Sequence, residues 1–105
     1  MNIENINQEL YKIKDYIKNE DFKESVFACN KIKNTIQQLF SDESIIETNS
    51  QLEKYKKEAN VIMENMYRIT RKYDYDHQDV FDKNDAEKMY YGIIQLIEVY
   101  NKQFI

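Results

Sequence analysis

Apolar residues recur along this chain at alternating steps of three and four. Between Ser44 and Tyr73 the positions Leu52, Tyr55, Ala59, Ile62, Met66, Ile69 and Tyr73 fall into this pattern. Such spacing predicts an α-helix with a narrow apolar seam that other helices must cover. Ile3, Ile6, Leu10, Ile13 and Ile17 repeat it and predict a first helix over 3–19. The polar run Asn19-Glu20-Asp21 ends that helix, because these side chains compete for backbone hydrogen bonds. Phe22, Val26, Cys29, Ile32, Ile36 and Leu39 line a second helix over 22–40.

The third helix has two candidate starts. Ser44 with Glu47 and Ser50 with Glu53 both have the spacing of a capping box. From 51 to 73 it would span about 34 Å, and from 44 about 45 Å, against about 26 Å for the first helix. Its excess seam needs a cover, from a link folding back or from a second copy of the chain. Residues 74–83 show no periodicity and many aspartates, and read as an acidic link. A last helix from about 84 to 104 carries two adjacent stripes, Met89, Ile93, Leu96, Tyr100 and Tyr90, Ile94, Ile97, Phe104. Asn84 and Glu87 have the spacing of its capping box. The expected fold is all-α: an antiparallel four-helix bundle with a long third helix and an acidic link before the last.

Composition narrows this picture. The 105 residues make one domain, 1–105, and one glycine with no proline suits long helices on short links. Gly92, inside the last helix, marks the close approach of a neighbour. No run of 18 apolar residues exists to span a membrane. The polar N-terminal MNIENINQEL lacks a signal-peptide pattern, and a lone cysteine cannot form an internal disulfide, so a cytoplasmic location is expected. Frequent lysine, isoleucine, asparagine and tyrosine resemble AT-rich coding sequence and point to a bacterial or phage source.

Charge is uneven. Of a net −4, residues 74–87 hold six acids (Asp74, Asp76, Asp79, Asp82, Asp85, Glu87) against Lys83 alone, while the rest carries 13 acids and 14 bases. A near-neutral remainder does not look like a whole-surface nucleic-acid binder. The acidic stretch instead predicts a partner with a basic surface.

Candidate chemistry is sparse. One Cys and one His cannot assemble a zinc set. An EF-hand fails because Asp79 stands where the turn needs glycine and Asp85 where a bidentate glutamate belongs. Cys29 sits in mid-stripe as a small buried hydrophobe, and no cofactor or metal is expected. Phe27, Tyr67 and Tyr91 fall away from the main stripes, and Tyr90, Tyr91 and Ile94 cluster; aromatics of this kind favour interfaces. Tyr67, Tyr90, Tyr91 and Ile94, with Asp76, Asp79 and Asp82, are the candidate protein-binding surface, and a homodimer is expected.

One constellation suggests catalysis. In Arg71-Lys72-Tyr73-Asp74-Tyr75-Asp76-His77 the only histidine follows an arginine by six residues. This resembles the R-x(4–6)-H motif of HEPN domains, all-helical bundles of bacterial defence and toxin–antitoxin systems, although Lys72 stands where that family usually has a small polar residue. The following Asp82-Lys83-Asn84-Asp85-Ala86-Glu87 also looks like the start of their last helix. The resemblance implies a metal-independent, dimeric ribonuclease in which Arg71 contacts the scissile phosphate of RNA and His77 assists proton transfer. Without it, Arg68, Arg71 and Lys72 simply complement a helix C-terminus and His77 is a loop residue. The first expectation is therefore a non-enzymatic protein-binding bundle of immunity, antitoxin, chaperone or inhibitor type, and the second a HEPN-type ribonuclease or its inactive relative.

Overall fold

The computed structural model describes residues 3–40, 50–76 and 81–102, and these form four α-helices with no strand among the described residues. They are α1 (Ile3–Lys18), α2 (Phe22–Phe40), α3 (Ser50–Asp76) and α4 (Lys83–Lys102). Helix α3, with 27 residues, is the longest, as its seam predicts. The arrangement is the antiparallel bundle expected. Helices α2 and α4 pack on each other and on both remaining helices, while α1 and α3 flank them.

The end of α1 shows how the chain turns. Glu20 adopts a left-handed φ of 63°, its N–H reaches the Ile17 carbonyl at 3.1 Å, and the Asp21 N–H reaches the Tyr16 carbonyl at 2.7 Å. This is the paired closure of a Schellman motif, formed here on glutamate instead of glycine. Asp21 also starts α2, since its carbonyl accepts the Ser25 N–H at 3.0 Å. A single residue thus closes one helix and opens the next, which holds α1 and α2 side by side.

The core follows the stripes. Ile6, Ile13, Val26, Cys29, Ile32, Ile36, Ala59, Met66, Met89, Ile93 and Leu96 are buried, and Leu10, Ile17, Tyr55, Ile62, Ile69, Tyr90, Ile97 and Tyr100 pack half-buried around them. Met63 and Val99, outside the predicted seams, are buried too. The apolar face of α3 is therefore wider than a strict three-four seam, because α3 meets both α2 and α4.

Two boundaries differ from expectation. Helix α3 runs on through Asp76, so Asp74 and Asp76 belong to the helix and the link is shorter. Aspartates alone do not stop a helix where no glycine or proline intervenes. Helix α4 starts with the pair Asp82 and Asp85 in place of Asn84 and Glu87. Asp82 Oδ1 accepts the Asp85 N–H at 2.9 Å, and Asp85 Oδ2 accepts the Asp82 N–H at 3.1 Å. This reciprocal box wins because it leaves Phe81, the residue before the cap, buried edge-on against Phe27 at 5.9 Å. Phe27 is accordingly half-buried and is not a free surface aromatic. The candidate starts of α3 at 44–47 lie outside the described residues, and α3 begins at Ser50.

Candidate functional site

Helices α3 and α4 run antiparallel with Lys72 beside Asp85 and Met66 beside Gly92. At that second level the helices come very close: a Cβ on Gly92 would lie 2.8 Å from Met66 Sδ and 2.9 Å from Met66 Cγ. Glycine is the residue that allows this approach. Above the contact the surface opens into a groove of about 490 Å³, lined by Ile62, Met66, Ile69, Tyr91 and Gly92, with Asn65 and Gln95 across its middle. Tyr91 stands at its rim, 60% exposed. The apolar lining continues past Ile62 to Val61 and Val99, where Val61 is 61% exposed. Lys88 lies at one end of this face, and Glu58 and Glu98 at the other.

A second constellation lies between α2 and α3. The Tyr67 ring, half exposed, has the Lys33 ammonium 5.5 Å from its centroid and the Arg71 guanidinium also at 5.5 Å. Lys33 is buried, and loss of water around its ammonium pulls its pKa below the usual lysine range. Its stem fills the α2 stripe between Cys29 and Ile36 while the charge reaches the aromatic face. The sequence carries the signal, since position 33 continues the three-four spacing of 26, 29 and 36. A lysine there reads as polar, which hides it.

The remaining candidates scatter. Tyr90 and Tyr91 touch edge to face at 5.8 Å but serve different grooves. Tyr90 belongs with Leu10, Tyr11 and Lys14 between α1 and α4, where the Lys14 ammonium sits 5.9 Å from its ring. Ile94 is half-buried. Asp82 caps α4, and its carboxyl is held below the usual range, chiefly by the Asp85 N–H and then by Lys72. Lys72 bonds Asp85 at 3.0 Å and ties the end of α3 to the start of α4. Asp76 is the last residue of α3, and His77 and Asp79 lie outside the described residues. Among the described residues, no group of three or more His, Cys, Asp or Glu could hold a metal. Nor is any helix among them long and apolar enough to cross a membrane. Burial pushes the Cys29 thiol up to about 12, which makes it inert.

No family model matches the chain, and neither a curated protein nor a solved structure is significantly similar to it.

Proposed function

We propose that this chain is a non-enzymatic bundle that acts by binding protein, with the α3/α4 groove as its contact surface. One observation carries this reading: Tyr91 stands 60% exposed at the rim of an apolar groove whose floor is opened by Gly92. A rigid aromatic beside a preformed apolar channel provides contact area at small entropic cost. The acidic stretch contributes less than its composition suggests, because Asp82 and Asp85 cap α4 and Asp85 is held by Lys72. Its outlying carboxylates would still favour a basic partner, with affinity that falls as salt rises. An immunity protein, antitoxin, chaperone or inhibitor fits this description.

The test compares proteins retained by the wild type, by Tyr91→Arg and by Tyr11→Arg, a substitution on α1 in the separate α1/α4 groove. Retention lost with Tyr91→Arg and kept with Tyr11→Arg supports the groove. The same proteins retained by all three would remove it.

A second reading is RNA cleavage of the HEPN type by Arg71 and His77. It draws on Arg71 being exposed beside a second cation, Lys33, at the Tyr67 ring, an arrangement suited to a phosphate. Incubation with RNA in EDTA, beside His77→Ala, decides it. No cleavage, or equal cleavage by both proteins, ends the catalytic reading.

A further inference from the structure

The charges along the α3/α4 face are polar in a way that suits one particular occupant. Lys88 and Glu98 are both exposed, and neither has an ion-pair partner among the described residues. They stand about 15 Å apart along α4, on either side of the level of Gly92. On α3, Ile62 and Ile69 flank Asn65 at the same level, and Glu58 adds to the acidic end. The face is therefore apolar in the middle, positive at one end and negative at the other.

Taking the groove as the binding surface, we propose that its occupant is a second copy of this chain, related by a two-fold axis that crosses the helices at the level of Gly92. That axis sets each α4 antiparallel to its counterpart. Lys88 of one copy then meets Glu98 of the second, and Ile62 meets Ile69. A two-fold axis along the helices would lay the positive end of one face on the positive end of the other and the negative end on the negative, and like charges oppose that orientation. Two helices at ordinary spacing give a face about 20 Å wide, and the stretch from 58 to 72 is about 21 Å long. A footprint on the order of 400 Å² per copy is about half that of a standard stable interface. The dimer is accordingly weak and reversible, formed at micromolar concentration, so the groove can also exchange its occupant for another protein.

Sedimentation equilibrium of the full chain from about 1 to about 500 µM tests this, across the range such footprints give. The wild-type mass should rise from 12.8 kDa towards twice that value. Lys88→Glu and Glu98→Lys should each weaken association about tenfold, and the two together should restore it to within about threefold. Circular dichroism of each variant checks that the bundle is intact. A wild type that stays monomeric overturns the proposal, as do single swaps without effect or a double swap no tighter than the singles. A monomer that still retains proteins through Tyr91 shows that the groove belongs to a different protein. Failure of both experiments removes the binding surface itself.

Discussion

Met66 occupies the space that a side chain at position 92 would need: its Sδ lies 2.8 Å from where a Cβ on Gly92 would stand. The lone glycine of the chain is thus a packing residue, and helix α4 tolerates it at a cost of about 1 kcal/mol in helix propensity.

Gly92→Ala therefore sets two effects against each other. Helix propensity gains about 1 kcal/mol, while a methyl pressed against a buried methionine costs about 1–3 kcal/mol. Met66 is 2% exposed and has little room to move, so the net change is destabilising by about 1 kcal/mol. Met66→Ala alone should cost about 2–5 kcal/mol, and markedly less when Gly92→Ala fills part of the cavity. Urea unfolding of the four proteins in a double-mutant cycle measures this, and simple additivity would refute the contact.

The box at the start of α4 predicts acid sensitivity. Asp82 is held below its usual carboxylate range of 3.8, so the folded state favours the charged form. Its contribution is present above that value and is lost as pH falls through the lower, folded value. Asp82→Asn keeps a capping oxygen but does not titrate. Thermal melts between pH 5 and 2 should fall less steeply for Asp82→Asn than for the wild type, the variant being the less stable of the two at pH 7 and the two converging in acid. Parallel curves would show that the cap carries no pH dependence.

Most of the fold was legible because three-four spacing leaves a helix few alternatives. The stripes of α1, α2 and α4, and the Gly92 contact, could be read from residue type and position alone. The cap of α4 could not, since Asp82, Asn84 and Asp85 are all credible capping residues. The burial of Phe81 on Phe27 decided between them, and that contact joins residues far apart in sequence. The groove was half legible: Tyr91 stood out as an unburied aromatic, but its lining is shared between two helices whose register no single helix encodes. Lys33 was missed because a snorkelling lysine looks like any surface charge.

The turn after α1 offers a direct gain. Glu20 sits at a φ of 63°, where a Cβ meets the neighbouring carbonyl and strains the backbone by about 1–2 kcal/mol. Glu20→Gly removes this strain, offset in part by the greater freedom of glycine in the unfolded chain. The melting temperature should rise by an amount equivalent to about 0.5–1 kcal/mol. Glu20→Val should fall, because a β-branched side chain is least tolerated there.

Lys33 and Cys29 make opposite demands in alkaline solution, and their variants separate them. Lys33 titrates below its usual 10.5 in the folded state because burial disfavours its charge. The penalty is present while the ammonium is charged, and it is relieved as pH rises through the folded value. Cys29 titrates at about 12, above its usual 9.0, because burial disfavours the thiolate. Its contribution is full below pH 9 and is lost as pH climbs above that value, since only the unfolded chain gives up the proton. Lys33→Met keeps the apolar stem, so it should be neutral or stabilising by about 1 kcal/mol at pH 7, with the advantage shrinking as pH rises towards 10.5. Cys29→Ala should instead weaken the bundle at pH 7 and flatten its decline above pH 9. Native protein should also react with a thiol reagent only at the rate of unfolding, measured beside a denatured control. Fast labelling of the folded chain would place Cys29 at the surface, and a Lys33→Met advantage constant from pH 7 to 11 would mean that the ammonium is fully hydrated.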